Sequence, residues 1–344
     1  MSLSARFTLR KEPCAALIDL LSTTTLGTNG ARYRHLDTAE RIYEADNPLF
    51  LSVERDGKVQ GNVTFCQRGK QWYVRYFAFS GQKQSSPNGQ NTERGNSMLK
   101  QNISSFYEDV FEGKYGEAPE SFYAYIDPRN ERSKVMAERF GFRVEAQLMT
   151  QSFSRSKPKN IAGVRRIEDP ELIEQTLSEV RCQHAYFAER QAHRPDFYGY
   201  FDESGKLQAF CKITHAHWKI ERLSGDLGGF LTKIIPIVPG MNKIVKPNDH
   251  RFIVPESVWV RNNNAENFAK LFEGILYEEK RNMILWWVDK REPLWRETRE
   301  QIRWGLVHRL TSSNPVDVMV LRKNSWKIDE LRNKPIFVAG WDMI

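Results

Sequence analysis

The stretch Gln90-Asn-Thr-Glu93-Arg94-Gly95-Asn96 is polar throughout. It gives way to Met98, Leu99, Ile103, Phe106, Val110 and Phe111, apolar residues at helical spacing. A helix beginning here leaves backbone N–H groups unpaired and carries a positive end. Gly95 lets an anion approach that backbone closely, and Arg94 adds a charge-assisted donor. The competing reading is plainer: Gly95 ends a surface loop and Asn96 caps a helix. A second cluster, Asn130 to Phe142, starts with a helix-capping residue and ends on Gly141. Glu54 and Tyr73 fall on strands, where a carboxylate is usually a solvated outer-face group, so no general base or acid is assigned. His215 and His217 share one face of a strand, but no third ligand stands near and no metal site is expected. Cys14, Cys66, Cys182 and Cys211 lie far apart and read as reduced, buried thiols.

The elements that hold these residues are legible in outline. A strand at 6–10 precedes a helix at about 13–22, and a second helical stretch covers 37–45. Apolar runs on both sides of Asp56-Gly57 predict a hairpin, 49–55 with 58–67. A strand at 71–79, a polar loop, a helix at 96–111 and a strand at 121–127 follow. A short helix, 131–139, and a strand, 143–153, complete the unit. The stripes Leu17, Leu20, Leu21 and Met98, Leu99, Ile103, Phe106 need separate surfaces, so their helices are expected on opposite faces of one sheet. The class is α/β (α+β): a mixed, mostly antiparallel sheet with helices on both faces.

The same plan recurs. Gly57-Lys-Val-Gln is echoed by Gly205-Lys-Leu-Gln. The strand SFYAYID ends on Asp127, and MILWWVD ends on Asp289. Gly141 and Gly305 each close the helix that comes next, and a strand, LVHRL, is expected after Gly305. Three landmarks in one order predict a tandem duplication: residues 1–153, a linker at 154–160, and a second unit at 161–344 with an insertion at about 221–250. That insertion, rich in Gly and Pro, is read as a lid or a decorated hairpin. The second loop, Arg261-Asn-Asn-Asn264-Ala-Glu266, has no glycine, and its helix is expected from Asn267. Leu285-Trp-Trp-Val288 is expected to pack core on both faces of its strand.

Composition sets bounds on function. The 344 residues carry a net charge of +8, with 12% aromatics, which excludes extensive disorder. No apolar run is long enough for a bilayer, and the first residues have no signal-peptide core, so a cytoplasmic protein is expected without membrane partners. The mild excess of positive charge suits a polyanionic small molecule or weak nucleic-acid contact.

This order of elements resembles the GNAT acyltransferase superfamily. That family's pyrophosphate loop, Gln/Arg-x-x-Gly-x-Gly/Ala, falls here on Gln90 to Gly95, with Glu93 replacing the middle glycine. Asn130-Glu-Arg-Ser133 through Gly141-Phe142 is similar to its Asn-x-x-Ala/Ser-x-x-Leu-Tyr-x-x-x-Gly-Phe run, except that Ala137 stands at the tyrosine position. The resemblance implies an acyl-CoA substrate, acetyl-CoA or another, with no metal. It implies that Gln90, Arg94, Gly95 and Asn96 meet the pyrophosphate. Phe77, Ala78 and Phe79 would present backbone groups to the thioester and pantetheine, and Asn130 would touch the pantetheine arm. The activity implied is acyl transfer by direct attack of an amine, from a small molecule or a peptide. With Ala137 and Gln301 at the acid position, the catalytic groups are unassigned. The alternatives are a degenerate binding protein of this fold or a transferase using aminoacyl-tRNA; nucleic acid other than tRNA is not expected.

Overall fold

The computed structural model describes residues 6–27, 31–56, 58–79, 93–186, 196–223, 227–311, 314–323 and 333–344. The first stretch runs β1 (Arg6–Arg10), α1 (Ala15–Thr23), β2 (Arg32–His35), α2 (Thr38–Tyr43), β3 (Pro48–Arg55), β4 (Lys58–Arg68) and β5 (Gln71–Phe79). It continues with α3 (Glu93–Phe111), β6 (Ser121–Ile126), α4 (Glu131–Arg139) and β7 (Arg143–Ser154). The second runs β8 (Val164–Arg166), α5 (Pro170–Gln183), β9 (Asp196–Phe201), β10 (Leu207–Arg222), α6 (Gly228–Ile234), α7 (Met241–Ile244) and β11 (His250–Val260). It ends with α8 (Ala265–Glu278), β12 (Met283–Asp289), α9 (Pro293–Thr298), α10 (Leu306–Thr311) and β13 (Pro315–Arg322).

The strands form one sheet in the order β1-β3-β4-β5-β6-β13-β7-β12-β11-β10-β9-β8, with β2 paired to β10 off that path. Every pairing is antiparallel except β5–β6 and β11–β12. The centre of the sheet is interlaced: β13 lies between β6 and β7, and β7 in turn pairs with β12.

Alternation along β3 sorts the helices onto two faces. Leu49 and Leu51 join Ile103, Phe106 and Val110 of α3, whereas Phe50 between them joins Leu17 and Leu21 of α1. The opposite-face expectation is met at these residues. β12 behaves likewise: Trp286 packs under Phe268 and Phe272 of α8, and Trp287 joins Trp218 and Phe252 on the other face. The insertion at 221–250 is a hairpin connection decorated with α6 and α7.

Four expectations are corrected. Of the four cysteines only Cys66 and Cys211 are buried; Cys14 is half-buried and Cys182 is exposed. LVHRL is not a strand but α10, because its apolar positions 306, 307 and 310 follow helical spacing, with Val307 inward. The long helix starts at Glu93 rather than Asn96, where an acidic residue suits the positive helix end. The later helix starts at Ala265 rather than Asn267, capped by Asn264, whose Oδ1 accepts from the Asn267 N–H at 2.9 Å.

Candidate functional site: one open gap and two joined cavities

β5 and β6 pair only from Gln71–Ser121 to Tyr73–Tyr123. Beyond that the two strands separate. On its other edge β5 pairs Arg75 with Thr64 and Ala78 with Asn62, so two residues, Tyr76 and Phe77, stand opposite one. Such a bulge bends a strand and leaves backbone groups out of the ladder. Phe77, Ala78 and Phe79 therefore sit where the strand turns away from β6, and Ala78 is buried. Arg94, Gly95 and Asn96 lie in the first turn of α3, the helix that follows. Gln90 lies outside the described residues. Asn130 is the N-cap of α4, its Oδ1 accepting from the Ser133 N–H at 3.2 Å, and it also lines a cavity described below.

β11 and β12 make an equivalent separation, with Ile253–Ile284 as their one paired position. There the gap is closed by the chain itself. The Ile336 N–H donates to Asp289 Oδ2 at 2.8 Å, and the Phe337 N–H donates to the Ala185 carbonyl at 2.9 Å. The Gly340 N–H donates to Glu256 Oε2 at 2.6 Å, and Glu256 is itself paired with buried Lys212 at 2.8 Å. Between β11, β12 and residues 336–338 only about 30 Å³ remains.

From this plug the chain crosses the sheet to the first gap. Tyr73 Oη donates to the Asp342 carbonyl at 2.8 Å, Arg68 pairs with the Asp342 carboxylate at 2.6 Å, and Arg75 donates to the Ile344 carbonyl. A cavity of about 170 Å³ is left there, bounded by Tyr73, Arg75 and Ala78 of β5, Tyr125 of β6 and His35 of β2. A second cavity of about 300 Å³ adjoins it; Leu26, Tyr33 and Met343 line both. The larger one is walled by Trp218, Leu223, Leu285, Trp287 and Val316, with Asp127, Arg129 and Asn130 at one side.

β2 builds the wall between the cavities. By pairing His35 with Trp218 and Tyr33 with Ile220, it carries a segment of the first stretch onto the second stretch's strand β10. Tyr33, His35 and Trp218 then stack, with Tyr33 and Trp218 at 3.9 Å between ring centroids. His35 is 8% exposed and neither ring nitrogen has a hydrogen-bond partner. Burial, together with Arg75 and Arg41, lowers its pKa to about 3, so the ring is neutral. His250, 2% exposed and stacked on Phe252, has an unpartnered Nε2 and a pKa lowered by burial to about 4. Burial raises the Tyr33 phenol to about 12. Ser152 Oγ and Trp218 Nε1, from residues lining the larger cavity, are also buried without partners.

Sequence reasoning reached β5, the α3 turn and Asn130. It missed Tyr33, His35, Trp218 and His250. The alternation Arg32-Tyr-Arg-His35 is a strand signal, but four residues between two helices read more readily as loop.

No sequence-family model matches the chain, and no curated protein matches it by sequence. Solved structures do match in shape. N-myristoyltransferase of Saccharomyces cerevisiae with bound myristoyl-CoA superposes at a TM-score of 0.55 and 8% identity, covering 94% of this chain and 81% of that one. A second structure of that enzyme with myristoyl-CoA gives 0.54 and 9%, covering 98% and 91%. A tandem GNAT protein from the clavulanic acid biosynthesis pathway gives 0.53 and 10%, covering 94% and 99%. With the parted strands, the bulge and the helix that follows, this likeness shows that the chain has the GNAT acyltransferase fold.

Proposed function

We propose that the protein is an acyl-CoA-dependent N-acyltransferase that takes its donor in the gap between β5 and β6. The observation that carries this reading is the asymmetry of the two gaps: one opens onto cavities and the other is filled by residues 336–338. The pyrophosphate is assigned to the first turn of α3, where the backbone N–H groups of Arg94 and Gly95 stand at the positive helix end and Asn96 follows. Backbone groups of Phe77, Ala78 and Phe79 hold the thioester and stabilise the developing oxyanion. Asn130 spends its oxygen on the helix cap, which leaves its amide N–H groups for the pantetheine arm. The small cavity beside Ala78 suits a short acyl group, so acetyl-CoA is the donor we favour. An amine attacks the thioester directly, and holding the two reactants together supplies much of the rate.

The two stretches, 1–153 and 161–344, we read as copies of one unit joined by 154–160. Both carry the same strand-end device. Arg129 grips Asp127 through Nε and Nη2 at 2.9 and 2.7 Å, and Arg291 grips Asp289 through the same atoms at 3.1 and 2.6 Å.

A thermal-shift series with acetyl-CoA, myristoyl-CoA and free CoA tests the donor. At a hundredfold excess over Kd a ligand stabilises by about 2.7 kcal/mol. Stabilisation by acetyl-CoA is expected; no shift with any of the three contradicts the reading.

A further inference from the structure

Five buried polar atoms without partners belong to residues that line two joined apolar cavities beside the proposed thioester position. They are both ring nitrogens of His35, Nε2 of His250, Ser152 Oγ and Trp218 Nε1. Buried polar groups in native proteins are nearly always bonded, so an unpartnered set around a cavity marks a place for water or a ligand. The space lies against residues of both stretches: Leu26 and Tyr33 from before β3, and Trp218, Leu285 and Trp287 from β10 and β12. At about 300 Å³, the larger cavity falls at the lower end of the range of small-molecule sites.

We propose that the larger cavity is the acceptor site, opening onto the acyl group in the smaller one, and that it takes a primary amine on an uncharged, mainly apolar body. The inference rests on the donor site assigned above. The walls carry the choice of substrate class. Trp218, Leu223, Leu285, Trp287 and Val316 offer apolar surface. The charged pair at the rim, Asp127 with Arg129, is bidentate and already neutralised. No wall is left to hold a second ammonium, and a polyamine would enter at a cost in desolvation.

His35 stands in the smaller cavity with Ala78 and Tyr125, one from each parted strand. The amine nitrogen attacks the thioester carbonyl carbon and forms the C–N bond. The nitrogen then carries a surplus proton. As the C–S bond breaks, that proton goes to the departing sulfur. The products are an amide and free CoA thiol.

Thiol release from acetyl-CoA is followed with n-alkylamines from propylamine to nonylamine and with 1,8-diaminooctane. The expected kcat/KM rises about fourfold per methylene until the cavity is full. Octylamine should exceed 1,8-diaminooctane by a hundredfold or more. A flat series, or a preference for the diamine, overturns the site. Val316→Phe should lower the ratio of octylamine to propylamine kcat/KM at least tenfold, a readout independent of how much enzyme is folded. An unchanged ratio counts against the cavity. Acetyl-CoA affinity of the parent is measured alongside. If the donor binds and no alkylamine reacts, the acceptor assignment alone fails; if the donor does not bind, the donor site fails with it.

Discussion

At the scale of single residues, the buried imidazoles tie the cavity to stability. A histidine in the unfolded chain titrates near 6.5. In the folded chain His35 holds out to about 3, through burial and the nearby Arg75 and Arg41, and His250 to about 4, through burial. Between those values the unfolded chain takes protons that the folded chain refuses, so stability is full above about 6.5 and falls as the pH drops. Each imidazole should cost about 2 kcal/mol between pH 7 and pH 5. Denaturant titrations of the parent and of the His35→Gln, His250→Gln double variant at both pH values check this. The double variant should lose distinctly less stability on acidification. Neither histidine could be singled out from sequence. Their neutrality comes from strands that meet only in the fold, and His35 lies 183 residues from its stacking partner Trp218.

At the scale of elements, Glu256 is one of two carboxylates that anchor the plug in the second gap. Glu256 holds Lys212 and the Gly340 N–H, and all three residues are buried. Glu256→Ala leaves an ammonium in the interior without that carboxylate and should destabilise by about 3 kcal/mol, read from urea unfolding. Gly305 carries a second constraint. Its φ is +111°, and an added Cβ would lie 2.3 Å from the Ser154 carbonyl oxygen at the end of β7. Gly305→Ala should therefore cost roughly 2 kcal/mol or more, from backbone strain and the clash together. Local patterning made α1, the β3–β4 hairpin, β5 and β6 legible, because each has its own period or turn. It did not reveal β2, whose partner lies in the other stretch, nor α10, where the expectation of a repeat overrode the helical spacing of Leu306, Val307 and Leu310.

Over the whole molecule, the interlaced centre of the sheet explains why the two stretches act as one. β13 lies between β6 and β7, so neither stretch completes its sheet from its own strands. Sequence patterning marks strands but does not choose partners among them, so this exchange was not readable in advance. What was readable is the difference between the two helix starts. Gly95 and Arg94 sit at one, and Asn264 already satisfies an N–H at the other. The central claim is that the donor binds only in the first gap. Calorimetric titration with acetyl-CoA of the parent, Gly95→Asp and Asn264→Asp tests it, once far-UV spectra show each variant folded. Asn264→Asp keeps a capping oxygen and should bind within about twofold of the parent, a shift of about 0.4 kcal/mol. Gly95→Asp puts a side chain and a negative charge at the pyrophosphate position and should weaken binding by a hundredfold or more, about 2.7 kcal/mol. Full affinity in Gly95→Asp with loss in Asn264→Asp would place the donor in the other half and contradict the account.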